Sequence, residues 1–276
     1  MSRAKNSYKD CKQNLHTHTT FCDGKDSPEE LVREALARGF DSLGFSIHSF
    51  MRGKTIYAER LDAYKTEILR IKEKYKEEIR IFLGIEFEPW TELQTFDFDY
   101  TIAALHYLPT PDGYKTFDVN LEGTLGFINN YFDGDAQKFA KAYYETLCTL
   151  PEHGSFDILA HFDIITKHNE AYPLFDADSK QYMDIAIEAA DALAGKIPFF
   201  EVNTGAIARG YRTSPYPSLP ILKELKARGF GAVITSDCHN KNHLDCSFSD
   251  ARELLRAAGF NSKFILTDKG FKETAL

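Results

Sequence analysis

The chain has 276 residues, 43% of them hydrophobic and 27% charged, with a formal net charge of −8, a composition that describes an ordered globular protein and excludes disordered and fibrous classes. No stretch approaches the roughly 18 apolar residues that a membrane helix needs. The acidic balance weighs against nucleic acid as a partner, whereas a small phosphorylated ligand needs only a few local cations.

Residues 1–13 are polar and mixed in charge, without the apolar stretch of a secretory signal, so a cytoplasmic location is expected. Five cysteines, Cys11, Cys22, Cys148, Cys238 and Cys246, are odd in number and lack CxxC spacing. Reduced thiols are expected rather than a disulfide framework.

From residue 14 onward, apolar runs of four to seven residues alternate with longer amphipathic stretches, the pattern of repeated β/α units and a mainly parallel sheet. A strand at Asn14–Leu15 leads to a helix announced by Asp26-Ser27-Pro28-Glu29-Glu30, which supplies a cap, a proline at the first position and an acidic first turn, and ends at Gly39. Strands follow over 42–47, 79–86 and 100–105, with a long charged helix over 58–76 before the second of these. Residues 108–132 turn rich in Pro, Gly and aromatics and read as an insertion over the sheet. Helices over 135–150, 178–194, 218–228 and 249–258 then alternate with strands over 156–160, 197–202, 232–235 and 264–266. Seven or eight strands without a linker favour one α/β barrel domain over an open sheet.

The same residue types recur where these strands end: His16 and His18, His48, Glu86, His106, His161, then Asp237 and His239. In a β/α barrel the C-terminal strand ends converge on one mouth, so residues distant in sequence can form one site. Strand periodicity places His16 and His18 on one face, and Asp237-Cys238-His239 repeats that geometry while turning Cys238 away. Imidazole mixed with carboxylate suits zinc, iron(II) or manganese, where an all-oxygen set would suit magnesium or calcium. A single HxH is as readily a pair of polar loop residues; it is the recurrence at successive strand ends that points to metal.

These motifs resemble the polymerase and histidinol phosphatase (PHP) family over nearly the whole chain. Leu15-His16-Thr17-His18 with the later Asp23, Leu43 to His48, Gly84-Ile85-Glu86 and Ser236-Asp237-Cys238-His239 match its four motifs, and His106 and His161 fall where the family places isolated ligands. Many members carry Asp where this chain has Ile47, a departure that removes a carboxylate expected to back a ligand. The resemblance implies a distorted (β/α)7-type barrel with two or three divalent metals (Zn, Fe or Mn). His16, His18, Glu86 and Asp237 would hold the first, Glu86, His106 and His161 the second, and Asp23, His48 and His239 the third. It also implies phosphomonoester hydrolysis by a metal-bridging hydroxide.

Glu201-Val202-Asn203-Thr204-Gly205, then Arg209 and Tyr216-Pro217, resemble the histidinol-phosphatase branch, in which an arginine of this loop contacts phosphate. Arg209 is therefore the candidate clamp, its planar fork suited to two oxygens, and Lys167 a second candidate cation. The implied reaction converts L-histidinol phosphate to L-histidinol and phosphate in histidine biosynthesis. His243 is a candidate proton donor to the leaving group, although a surface loop position suits it better; His153 and His168 read as structural or exposed. Tyr107, Tyr114, Phe117, Phe127, Tyr131 and Phe132 either wall a pocket for a cationic substrate or belong to the core. Two other readings stay open: a phosphoesterase of the same scaffold acting on nucleotides, phosphotyrosine or nucleic-acid ends, and a non-enzymatic metal domain. Action on nucleic-acid ends calls for a basic stripe beside the metals, against which the acidic balance counts, and the non-enzymatic domain lacks the cysteine-rich closed sites typical of structural zinc. Metal identity and oligomeric state are not legible.

Overall fold

In the computed structural model, which describes residues 11–56, 58–92 and 98–276, seven parallel strands stand side by side in chain order. They are β1 (Gln13–Asn14), β2 (Ser42–His48), β3 (Arg80–Phe87), β4 (Tyr100–Ala103), β5 (Ile158–Leu159), β6 (Phe199–Asn203) and β7 (Gly231–Thr235). The two edge strands meet just beyond their ends. Thr17 bridges Cys238 in parallel, with His18 N donating to Cys238 O at 2.8 Å and Cys238 N to His16 O at 3.0 Å. The result is a nearly closed barrel.

Helices cover its outside: α1 (Pro28–Ala37), α2 (Ala58–Lys74), α3 (Leu121–Phe132), α4 (Ala136–Leu147), α5 (Lys180–Leu193), α6 (Gly205–Ala208), α7 (Leu219–Ala227) and α8 (Phe248–Ala257). The opening of α1 follows its sequence signals. Ser27 accepts from Glu30 N while the Glu30 carboxylate accepts from Ser27 N at 2.9 Å, a reciprocal cap that satisfies two otherwise unpaired N–H groups. None of the described helices is long and apolar enough to cross a membrane.

Strand periodicity divides the core into two layers. In β2 and β3, Leu43, Phe45, Ile47, Ile81, Leu83, Ile85 and Phe87 face outward and pack under the helices. Phe82 belongs to the barrel interior with Leu15, Tyr100, Ile102, Ile158, Ala160 and Val233. Ile47 thus lies in the outer apolar layer. A carboxylate at that position would point away from the barrel mouth, so its absence does not deprive the mouth of a group on the inner face.

The structure corrects one sequence expectation. The strand expected over 264–266 is Ser262–Thr267, and it pairs antiparallel with Gly270–Ala275 instead of joining the barrel. Its link to β1 runs through a side chain: Gln13 donates to Leu266 O and accepts from Leu266 N. With Leu266 in the interior cluster and Phe264 and Phe271 packed against it, the hairpin plugs the bottom of the barrel. The segment read as an insertion contains a hairpin (Tyr107–Thr110 with Gly113–Thr116) followed by the regular helix α3, capped by Asn120 at its start and by Asp133 in the left-handed conformation at its end.

Two glycines admit the largest interior side chain. A Cβ on Gly84 would stand 2.2 Å from the Tyr100 ring, and one on Gly44 2.5 Å from its hydroxyl. That hydroxyl donates toward Leu15 O and lies 3.0 Å from Phe45 O, tying β4 to β1 and β2 across the interior. Gly84→Ala is expected to lower the stability of the protein by about 2–3 kcal/mol through overpacking. Urea unfolding measures this, and an unchanged midpoint would show that the Tyr100 ring is free to move aside.

Candidate active site

The inward alternation that places Phe82 and Gly84 inside the barrel carries Glu86 to its mouth, where β2 and β3 register His48 opposite Glu86. His106 and His161 follow the ends of β4 and β5, and Asp237 and His239 follow β7. His16 and His18 both point inward next to the inward Leu15, because regular pairing ends at Asn14 and the chain resets its alternation there. Asp237 sits in the left-handed region at φ 46°, a conformation that non-glycine residues adopt at a cost and that marks functional turns.

Three groups form around this mouth. His16 Nε2 lies 3.3 Å from Glu86 Oε1 and 3.5 Å from Asp237 Oδ1, and His18 Nε2 lies 3.4 Å from Glu86 Oε2 and 3.3 Å from Asp237 Oδ1. His106 and His161 approach Glu86 Oε1 through Nε2 at 3.5 and 3.3 Å, and their own Nε2 atoms are 3.1 Å apart. His48 and His239 approach Asp23 Oδ1 through Nε2 at 3.5 and 3.4 Å. All nine residues singled out by motif are brought together, with Glu86 touching the first two groups and, through His48 Nδ1 at 2.7 Å, the third.

The other ring nitrogens explain why Nε2 faces inward. His16 Nδ1 is 2.8 Å from Glu201 and His106 Nδ1 is 3.0 Å from Glu88, whereas His239 Nδ1 lies between Asp237 O at 2.9 Å and the Arg209 Nη1 donor at 3.2 Å. The two carboxylates draw the ring protons of His16 and His106 to Nδ1, which leaves a lone pair on each Nε2 aimed at the centre. Glu201 also accepts from His161 N, Asn203 and Thr235, and Glu88 from the His106 and Tyr107 amides. Both carboxylates are 0–2% exposed.

These two supports escaped the sequence reading as site residues. Glu201 appeared only within a motif, and Glu88 carried no motif; its parity with Glu86, two residues earlier on an inward-facing strand, was the signal available.

Charge crowding sets the ionisation of the cluster. Burial alone would lower the His16 imidazole, but Glu201, Glu86 and Asp237 outweigh it and hold it well above its ordinary value. Against the same burial, Glu86 and the Glu88 carboxylate raise His106 to about 9. His18 falls to about 3 because it is buried and stacked between the His239 and His48 rings, whose centroids lie 4.2 and 4.3 Å away. Despite burial, neighbouring histidines keep the Glu86 carboxyl well below the carboxylate range, while Arg209 followed by His16 does the same for Asp237.

Buried polar atoms are nearly always paired, yet His16 Nε2 and His18 Nε2 have no hydrogen-bond partner. The Nε2 atoms of His106 and His161, 3.1 Å apart, likewise call for a cation between them or a proton on one. His18 with Asp23, His48 and His239, His16 with His18 and Glu86, and His48 with Glu86 and His106 each bring ligand atoms within 4.8 Å of one another. This mixed nitrogen and carboxylate set fits divalent zinc, iron or manganese.

Above the cluster lies a cavity of about 270 Å³, lined by Asp23, His48, His106, Asp237 and His239 from the cluster and by Phe50, Tyr107, Asp118, Lys167, Arg209 and Tyr211 around it. Arg209, at the end of α6, donates from Nη2 to Asp237 Oδ2 at 2.9 Å and from Nη1 to Asp237 O at 3.2 Å. Gly205 makes that approach possible, since a Cβ there would stand 2.9 Å from both Arg209 Nη2 and Asp237 Cβ. Lys167 pairs with Asp118 at 2.7 Å and lies over the Tyr211 ring. His243 is not brought to the cavity: it closes a short turn at Lys241–His243, where its amide bonds Asn240 O. Tyr107 lines the cavity, but Phe117 and Phe127 are core and Tyr114 is an exposed ring stacked on Trp90. A larger cavity of about 650 Å³ lies at the opposite end of the barrel, yet its cations are already engaged, Lys226 by Gly259 O and Arg228 by Asp191 and Glu224.

The chain is similar to known proteins. A Deinococcus radiodurans protein named "Probable histidinol-phosphatase" is 28% identical over 263 residues, spanning 88% of this chain and 92% of its own length. The histidinol-phosphatase of Lactococcus lactis is 24% identical over 273 residues, spanning 95% and 96%. Its solved structure, a complex with zinc, L-histidinol and phosphate, superposes with a TM-score of 0.68 over 95% of this chain and 98% of that one at 20% identity, which establishes the common fold. The model of the PHP domain matches residues 14–205, which run from β1 through β6 and hold seven of the nine clustered residues, and the chain therefore belongs to the PHP domain family.

Proposed function

We propose that this chain is a metal-dependent phosphomonoesterase that hydrolyses L-histidinol phosphate to L-histidinol and phosphate. The observation that carries the reading is the convergence of unpaired Nε2 atoms with carboxylates beneath a cavity whose rim holds two cations, Arg209 and Lys167. The names of the relatives and the histidinol and phosphate in the Lactococcus lactis complex support the substrate.

His16, His18, Glu86 and Asp237 would hold one divalent ion, Glu86 with His106 and His161 a second, and Asp23 with His48 and His239 a third. Ions at these positions supply Lewis-acid polarisation of phosphoryl oxygens and water acidic enough to attack at neutral pH. The protein's own groups do the rest. Glu201 and Glu88 keep the ring protons on Nδ1 of His16 and His106, so that those rings offer lone pairs and not N–H groups to the centre. Arg209, anchored through Asp237, presents its remaining N–H groups to phosphate oxygens, and a bidentate guanidinium suits a tetrahedral dianion. Lys167 adds a point charge from the other side of the cavity. Phe50, Tyr107 and Tyr211 restrict water and offer ring faces to a cationic leaving group.

The first experiment is the comparison of kcat/KM for histidinol phosphate with that for nucleotides, phosphotyrosine and p-nitrophenyl phosphate, using protein reconstituted with zinc, manganese or iron. A preference of at least about 100-fold for histidinol phosphate is expected; equal rates on all four would discard the substrate. Glu86→Gln is expected to lower metal content and activity together, activity by about 1,000-fold or more, and a variant with normal metal content and turnover would remove Glu86 from the centre. Arg209→Ala should retain its metal and lose about 10–100-fold in kcat/KM, mainly through KM; steady-state kinetics identical to the parent would place the phosphate clamp elsewhere.

Chelated protein offers a test through pH. His106 titrates near 9 when folded against about 6.5 when unfolded, so the folded state binds the extra proton between those values. Its contribution is fully present below pH 6.5 and is lost as pH rises to 9, and His16 and His48, shifted in the same direction, add to the trend. The thermal midpoint of the metal-free protein should therefore fall from pH 6.5 to 9. Metal-loaded protein, whose ligand nitrogens must be deprotonated to bind, should not show that fall. Identical pH trends with and without metal would contradict the proposed ligand set.

A further inference from the structure

The cavity over the cluster contains three carboxylates, and two of them, Asp23 and Asp237, are already occupied by the imidazoles at its floor. The third, Asp118, belongs to none of the three ligand groups. It lies in the turn before α3, where its amide donates to Thr116 Oγ1 at 3.1 Å. Only one of its oxygens is engaged: Oδ1 accepts from Lys167 at 2.7 Å, and among the described residues Oδ2 takes no hydrogen bond. The carboxylate is about one-fifth exposed, and that exposure is to the cavity.

The neighbours of Asp118 are fixed. Lys167 is 12% exposed, held over the Tyr211 ring at 4.7 Å, and His168 next to it packs on the same ring and bonds Val119 O at 2.8 Å. The loop carrying Asp118 and the loop carrying Lys167 are thereby stapled twice. A purely structural ion pair would gain nothing from turning its second carboxylate oxygen toward a reaction cavity.

We propose that Asp118 is the specificity-determining residue that binds the ammonium group of an amino-alcohol phosphate through Oδ2 while Lys167, tied to Oδ1, faces the phosphate. This deepens the histidinol phosphate reading and rests on it. The substrate carries a phosphate dianion and an ammonium only a few bonds apart. Lys167 and Asp118, 2.7 Å apart, present a cation and an anion at matching separation, so that each charge of the substrate meets its opposite. A phosphomonoester without an ammonium leaves Asp118 Oδ2 unpaired and its charge repelling the dianion, which discriminates against nucleotides, phosphotyrosine and simple aryl phosphates by the same contact.

The alternative is that Asp118 does no more than orient Lys167, in which case its loss would weaken phosphate binding. Product inhibition separates the two. In metal-loaded Asp118→Asn, with p-nitrophenyl phosphate as reporter, the inhibition constant for L-histidinol should rise about 10-fold or more while that for inorganic phosphate moves less than about 3-fold. Asp118→Glu, which keeps the charge, should recover part of the histidinol binding. A rise in the phosphate constant with unchanged histidinol inhibition would overturn the assignment and leave Asp118 as a positioning residue for Lys167. Should Asp118→Asn unfold, Asp118→Glu and Asp118→Ser carry the same comparison. If the parent protein hydrolyses histidinol phosphate no better than p-nitrophenyl phosphate and is not inhibited by L-histidinol, the substrate reading itself fails and this inference falls with it. A parent preference combined with equal losses for both inhibitors overturns the inference alone.

Discussion

Glu86 is a carboxylate with 2% of its surface exposed, surrounded by the imidazoles of His16, His18, His48, His106 and His161 at 2.7–3.5 Å. An isolated buried charge would cost far more than a domain of this size can absorb. It is tolerable because every neighbour is a group able to carry positive charge, as a proton in the metal-free protein or through a shared cation. The rest of the barrel mouth is organised around that requirement. Six Nε2 atoms face inward, and Glu201 and Glu88 stand behind two of the rings to fix which nitrogen carries hydrogen. The charged shell is thus double, with carboxylates at the centre, imidazoles around them and further carboxylates outside.

Such an arrangement needs a rigid frame, because a displacement of about 1 Å in a ligand or clamp is enough to degrade a catalytic site. The frame comes from strand alternation acting on two cores at once. Outward residues of each strand pack under the helices, and inward residues fill the barrel below the mouth. Gly44 and Gly84 clear space for Tyr100, whose hydroxyl joins β1, β2 and β4 just beneath the histidines. At the rim the same economy recurs at Gly205, which lets Arg209 reach the Asp237 carboxylate. Small residues therefore set the positions of the largest and the most highly charged side chains.

Function is layered on this frame with increasing freedom. The His and carboxylate cluster at the floor is drawn from strand ends and is the most constrained part. The two cations and the third carboxylate of the rim, Arg209, Lys167 and Asp118, come from loops between strands and helices, where substitution disturbs the barrel least.

Much of this was legible from residue order. Alternating apolar runs and amphipathic stretches specify a parallel β/α architecture, the HxH and DxH pairs bring two imidazoles or a carboxylate and an imidazole to one strand end, and Ser27 with Glu30 announces the start of α1, because these patterns depend only on neighbours within a few residues. The same locality explains the failures. Ser262–Thr267 has the composition of a barrel strand, but whether it extends the ladder or caps it depends on Gln13, about 250 positions away, which occupies its hydrogen bonds. The outward direction of Ile47, the support given by Glu88 and Glu201, the pairing of Asp118 with Lys167 across 49 residues and the exclusion of His243 from the cavity likewise follow from which loops meet in space. Sequence by itself determined the kinds of ligand and the strands that bear them; only the closed barrel decided their distances, tautomers and counter-charges, since burial and Coulomb interactions act through space and not along the chain.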